Sequence, residues 1–282
     1  GGLLGGRAGR SGAAADGDAS AVERLPSRRL AARAALLGAI PRVATGAPAT
    51  NVTLSASSVL AIEAAAAELE ALTPYPVGLV HDADALRRLN GSWRLLYSNA
   101  PEITGLADLP LGFQLGAVYQ PIDISRDALE NQASVTHVLG LAAGSTRVVA
   151  DFRPAPAGTL NDAGVRNDAM NRLEVDFGTL VFALDRFLAF STQGRPRKVL
   201  SPEARPGRPR PAVDITYLDD AVRVTRGGDG ALFVLVRQES PTPLLDPAAR
   251  AALRLESGEA IPSGPDVIER SKKILGARSS AT

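Results

Sequence analysis

The chain has 282 residues, a net charge of +1, a hydrophobic fraction of 45% and an aromatic fraction of 4%, so it can bury a sizeable core and offers few platforms for stacking nucleic-acid bases. It has no cysteine and two histidines, His81 and His137, which removes disulfides, thiolate chemistry and nearly every structural zinc arrangement and leaves a catalytic triad little material. No run of about 18 apolar residues occurs, so contact with a membrane is expected to be peripheral.

Residues 1–26 are rich in Gly, Ala and Ser, with Arg7 and Arg10 ahead of the first acid, Asp16. They read as a flexible tail or the remnant of an organelle transit peptide. The first expected helix spans residues 27–40, with Ser27 as N-cap, Leu30, Ala34, Leu37 and Ile40 on one stripe, and Pro41 as the stop. Its basic side chains leave two readings open, a helix covering a β domain or one lying on an anionic surface. A second helix is expected over residues 55–72, where Ile62, Ala65, Leu69 and Leu72 share a stripe, Glu63 and Glu70 are turned away from it, and Thr73-Pro74 ends it.

Leu89-Asn90-Gly91-Ser92-Trp93-Arg94-Leu95-Leu96-Tyr97-Ser98 holds the single tryptophan. After Asn90-Gly91 the residues alternate, which sets Trp93, Leu95 and Tyr97 on one side of a strand. A loop over residues 100–113 precedes strands at 114–123, 131–139 and 147–152. Beyond a Pro, Gly, Asn and Asp-rich loop at 154–169, residues 172–177 alternate cleanly and 180–190 is apolar on both sides, interrupted by Asp185 and Arg186. Five prolines argue against regular structure over residues 191–211, where Arg195, Arg197, Lys198, Arg205, Arg208 and Arg210 face a single acid, Glu203. That cluster reads either as a contact for anionic lipid or as a solvated insertion between strands.

Residues 214–237 form a three-strand meander, turned first at Asp219-Asp220 and then at Gly227-Gly228-Asp229-Gly230. The adjacent aspartates suit a turn better than acid–base work, and the glycine-rich turn has strands on both sides, unlike a phosphate-binding loop. Residues 241–282 form a C-terminal extension with short helices expected at 247–256 and 265–275, read as a partner-docking segment or a tail.

Three stretches together resemble the plastid lipid-associated proteins, also called fibrillins or plastoglobulins: Glu68-Leu69-Glu70-Ala71-Leu72-Thr73-Pro74, then Leu89-Asn90-Gly91-Ser92-Trp93, then Thr216-Tyr217-Leu218-Asp219 followed by Arg223-Val224-Thr225-Arg226-Gly227 and Phe233-Val234-Leu235. Gln114 to Asp123 resembles the second strand of that family, while Pro211-Ala212-Val213 departs from it, standing where a large residue is common. The resemblance covers residues 27–238. It implies a mainly β (α+β) fold, a lipocalin-like antiparallel β-barrel at about 89–238 preceded by two N-terminal helices, within a domain of residues 27–240, in which the proline-rich basic stretch at 191–211 is expected to be a disordered insertion.

It further implies a non-enzymatic protein of the chloroplast, on the stromal side of plastoglobules or thylakoids, with no required cofactor. Its expected cargo is a prenylquinone, carotenoid or other apolar lipid, and its expected partner is a lipid or membrane surface or a plastid membrane complex, with no nucleic acid. The alternative is a coat or scaffold without a specific ligand. Trp93, Tyr97, Tyr119, Phe152, Phe177, Tyr217, Arg223, Arg226 and Phe233 are the candidates to line or close a cavity. Arg195, Arg197, Lys198, Arg205, Arg208 and Arg210 are the candidates to meet a membrane surface.

Overall fold

The computed structural model describes residues 15–106, 109–195, 197–202, 210–256 and 259–261. The elements in chain order are α1 (Ala15–Ala39), β1 (Ala49–Thr50), α2 (Ala56–Glu70), α3 (Ala83–Leu89), β2 (Gly91–Ser98), α4 (Pro101–Thr104), β3 (Phe113–Asp123), β4 (Ala128–His137), β5 (Ala142–Pro154), β6 (Arg172–Phe187), β7 (Phe190–Ser191), β8 (Arg197–Pro202), β9 (Ala212–Leu218), β10 (Val222–Gly227), β11 (Leu232–Arg237), α5 (Pro247–Glu256) and β12 (Glu259–Ile261).

Eight of these strands form an antiparallel ring in the order β2, β3, β4, β5, β6, β9, β10, β11, with β11 pairing back onto β2. The protein is therefore mainly β, and neighbours in space are nearly always neighbours in sequence, as short turns demand. The closing seam is short: β6 meets β9 at three positions, Arg172–Asp214, Leu173–Val213 and Glu174–Ala212, and then turns to β8 instead. Strands β5 and β6 extend far past that seam, so one side of the ring stands higher than the other.

The interior is filled near the start of β2 by Leu79, Val80, Leu89, Trp93, Leu95, Ile122, Leu129, Phe152, Leu173, Val175, Ile215 and Leu218. A second core lies outside the ring, where Leu36 and Ile40 of α1 and Ile62, Ala66 and Leu69 of α2 pack on Tyr97, Tyr217, Val222, Val224, Leu232 and Val234. Ser55 caps α2, its side chain accepting from the Ser58 amide. Arg29 donates to the Leu72 carbonyl (2.8 Å) and Arg33 pairs with Asp219 (3.0 Å), so two basic side chains of α1 are engaged by the domain itself.

Several expectations are corrected. α1 begins at Ala15, which makes residues 15–26 helical and puts Pro26 and Ser27 inside the helix rather than at its start. The spacer before Trp93 folds as α3, capped by Asp82, whose carboxylate accepts from the Ala85 amide (2.8 Å). Residues 172–177 and 180–190 are largely one strand, β6, since the bulge at Gly178 lets the pairing with β5 continue. The basic stretch at 191–211 contains β8, held on β6 through Arg197, Lys198, Val199 and Leu200. Glu63 and Glu70 face the sheet, because they stand seven residues apart on one helix face and Arg226 reaches both. The expected helix at 265–275 lies outside the described residues.

The C-terminal segment is part of the domain. Thr242 exchanges hydrogen bonds with Ser92 (Oγ to carbonyl 3.0 Å, amide to Oγ 2.9 Å), and the Leu245 amide donates to Glu130 (2.9 Å). α5 then sets Leu253 against Val149 and Val181, and Arg250 on the Ala150 carbonyl (3.0 Å) and Asp151 (2.6 Å). Glu130 is buried on this outer face of β4, where Arg147, Gln132 and the Leu245 amide supply its donors. A buried carboxylate without them would be costly.

Candidate functional site: the interior of the strand ring

The Leu-Asn-Gly-Ser-Trp stretch makes sense as one construction. The Leu89 carbonyl accepts from Trp93 Nε1 (2.9 Å) and the Asn90 side chain accepts from the Ile124 amide (2.9 Å), which ties the end of α3 to β2 and to the β3–β4 turn. Gly91 has φ +127°, and a Cβ there would stand 2.6 Å from Nη1 of Arg237. Only glycine lets that guanidinium lie across the turn, where it donates to the carbonyls of Asp220 (2.8 Å), Asn90 (3.0 Å) and Arg88. Trp93, fully buried, thus closes one end of the ring with α3 beneath it.

Two guanidiniums rest against the indole, with Cζ of Arg237 4.3 Å and Cζ of Arg223 5.1 Å from the ring centroid. Arg223 is buried and donates through Nη2 to Gln120, while its Nε has no hydrogen-bond partner among the described residues. Burial first, and then the neighbouring Arg237 cation, push Arg223 down to about 9. The hydroxyl of Thr225, also buried and two residues further along the same strand face, is likewise without a partner among the described residues. The interior therefore carries unmatched donor capacity in a dry setting, where a ligand oxygen would be bound strongly.

Further from Trp93 the wall changes character. Register places Phe177 opposite Ala150, Leu180 opposite Val148 and Phe182 opposite Thr146, all on the inner face. Phe177 is 40% exposed, and Val148, Leu180 and Phe182 are half-buried. The inner face is thus packed at the Trp93 end and apolar and partly open along β5 and β6, where the seam with β9 has ended.

The expected cavity residues divide between the two faces. Trp93, Phe152, Phe177, Arg223 and Phe233 lie on the inner side. Tyr97, Tyr119, Tyr217 and Arg226 lie outside it. Strand β2 carries one extra residue, Leu96, between the pairs Leu95–Leu235 and Tyr97–Val234, and this bulge turns Tyr97 onto the helices. Thr216 does the same in β9 between Ile215–Thr225 and Tyr217–Val224. Tyr119 pairs with Arg94 and Gln132, on the face opposite to Trp93 and Gln120. Arg226 joins α2 to the sheet, bonding Glu70 (2.9 and 3.0 Å) and Glu63 (2.9 Å).

Of the expected membrane-facing residues, Arg205 and Arg208 lie outside the described residues. Arg210 pairs with Asp176 (3.0 Å) and Arg197 with Glu256, so both charges are partly answered within the protein. Lys198 stands opposite Phe182 on the inner side of β8, and Arg195 is exposed. Gln120, Asn131 and Thr225 were not among the expected site residues. Their place on the inner face follows from pairing register, with Gln120 donating to Asn131 (2.7 Å), and no local pattern announces it. Among the described residues no group of three or more His, Asp or Glu side chains is placed to hold a metal ion, and no helix is long and apolar enough to cross a membrane.

The family model PAP_fibrillin, that of the plastid lipid-associated proteins, matches residues 35–236, from α1 through β11. The chain belongs to the fibrillin family. That assignment makes it a plastid-associated, lipid-associated protein, and it covers the whole ring together with α2 and the two closing turns. The segment from Gln238 through α5 lies beyond the match, although it covers the outer face of β4–β6. No curated protein and no solved structure matches the chain.

Proposed function

We propose that this fibrillin is a non-enzymatic carrier, a lipocalin-like barrel that holds one apolar isoprenoid lipid, a prenylquinone or carotenoid, at the surface of plastoglobules or thylakoids on the stromal side of the chloroplast. The observation that carries the reading is the inner wall, closed by Trp93 at one end and left apolar and partly uncovered at Phe177, Val148, Leu180 and Phe182. An apolar chain laid along that wall gains about 25 cal/mol per Å² of surface removed from water. The donors of Arg223 and Thr225 that have no partner among the described residues would receive a ring or end-group oxygen, which favours an oxygenated isoprenoid over a plain hydrocarbon.

The test is titration of the full chain with plastoquinone, reading the emission of Trp93, the single tryptophan. Saturable quenching at a one-to-one ratio supports the reading, and a linear response that never saturates rejects it. The filled half of the ring favours a second reading, a coat or scaffold on a plastid lipid body with no bound ligand. Extracting lipids from protein purified gently from its source separates the two. A stoichiometric isoprenoid supports the carrier, and bulk galactolipid alone supports the coat.

A further inference from the structure

At the end of the β4–β6 wall away from Trp93, three turns come together. The Val138 amide donates to the Gly112 carbonyl (2.8 Å), the Leu188 amide to the Leu141 carbonyl (2.6 Å), and Arg186 reaches the carbonyls of Gly140 (3.0 Å) and Leu188 (2.7 Å). This bonded edge displays apolar side chains to solvent. Leu139 is 74% exposed, Phe190 73% and Leu111 71%, with Val138, Phe187 and Leu188 about half exposed beside them. Large apolar residues gathered at turn tips are the reverse of what water selects.

The backbone sharpens the point. Leu111 (φ 58°) and Leu188 (φ 52°) stand in the left-handed region, where glycine or asparagine costs least. Leucine there gains nothing from the turn and nothing from water, and its side chain is left largely uncovered among the described residues. Charge indicates which partner suits it. No acid occurs between Glu130 and Asp151 or between Asp185 and Glu203, whereas Arg186 and Arg195 fall in the second interval. Apolar tips above a cationic base match the acyl layer and anionic headgroups of a lipid surface.

We propose that the joined tips at Leu111, Val138–Leu141 and Phe187–Phe190 are the membrane-docking edge of the protein, inserted into the interface of an anionic lipid surface with Arg186 and Arg195 at headgroup level. The proposal rests on the lipid-surface part of the reading above and names the contact. It also directs the uncovered side of the inner wall toward the lipid, since β5 and β6 carry both.

The test uses the full chain and flotation with phosphatidylcholine vesicles containing phosphatidylglycerol, compared with pure phosphatidylcholine. Leu139→Ser and Phe190→Ser together should weaken partitioning about tenfold or more, because each removes an exposed side chain from the acyl boundary. Phe190→Trp should keep it, and thermal unfolding of the serine variant should be unchanged since neither side chain is packed. Plastoquinone quenching of Trp93 in vesicle-free solution should also survive the serine changes. Flotation lost with quenching intact supports both ideas, and flotation lost when even the native chain gives no saturable quenching supports docking while rejecting the internal ligand. Flotation unchanged in the serine variant, no flotation of the native chain, or a self-association that the serine changes abolish while flotation persists, each overturns the docking edge.

Discussion

Replacing Asp214 by Asn tests how the ring is closed. Asp214 and Arg172 are register partners in the short seam between β9 and β6, and they form a two-pronged ion pair (Nε to Oδ1 2.5 Å, Nη2 to Oδ2 2.8 Å). Arg172 is 2% exposed and also donates to the carbonyls of Thr159 (2.9 Å) and Val165 (3.1 Å), so one guanidinium fastens the seam and pins the 155–169 loop over it. The amide variant keeps the shape, removes the countercharge and strands a buried cation. Breaking a buried pair in this way costs about 3–5 kcal/mol, and the two carbonyls that still receive Arg172 place the expected loss near the lower end. Urea unfolding reads that loss directly, and hydrogen exchange should show lost protection at the amides of Ile215 and Val175, which cross the seam to Asn171 (3.0 Å) and Pro211 (2.7 Å). Tryptic cleavage at Arg166, exposed in the pinned loop, should accelerate. The double variant Arg172→Met, Asp214→Leu should recover much of the loss, since it leaves no lone charge. A change below about 1 kcal/mol with unaltered exchange would refute the view that this pair closes the ring.

Arg226→Gln should loosen α2 from the sheet and cost about 2 kcal/mol in urea, because three charge-assisted bonds to Glu63 and Glu70 are lost from a half-buried site. Tyr97→Phe should leave stability equal or raise it by up to about 1 kcal/mol, since the buried hydroxyl has no partner among the described residues; a clear loss in the same assay counts against it. Burial raises the Asp219 carboxyl, but the amides of Val222 and Ala221, the Tyr217 hydroxyl and Arg33 outweigh it and hold the group below the ordinary carboxylate value. Its stabilising share is therefore complete above about pH 4 and is lost as the pH falls through the depressed folded value, so Asp219→Asn should flatten the acid limb of stability against pH. Arg223→Met should weaken plastoquinone binding about tenfold while leaving the affinity for β-carotene, which has no oxygen, within twofold.

Much of the fold is legible in the order of the residues. Period-two alternation marks β2, the later half of β5 and the start of β6, Thr73-Pro74 stands just beyond the end of α2, and the two turns declare themselves through Asp219-Asp220 and Gly227-Gly228-Asp229-Gly230. These are local signals, set by backbone sterics and short-range hydrogen bonding, and they do not depend on what lies across the sheet. The family, too, is written in short motifs that survive without any contact being known.

Which side chains face inward is another matter. Tyr97 and Tyr217 fall two residues after inward-facing Leu95 and Ile215, and strict alternation would send both into the interior. The extra residues Leu96 and Thr216 reverse them, and a bulge exists only in relation to a partner strand that lacks the residue. Glu63 and Glu70 likewise become anchors only because Arg226 arrives from 163 and 156 residues away, and Glu130 is tolerable on the buried outer face of β4 because Arg147, Gln132 and the segment that folds back after β11 meet it. Local pattern announces α2, most of the ring strands, their order and the family, whereas α3, β8 and the start of α1 at Ala15 emerge only in the folded chain. Tertiary pairing decided the inner wall, the closed seam and the exposed apolar edge, because register, bulges and long-range ion pairs are properties of two segments at once.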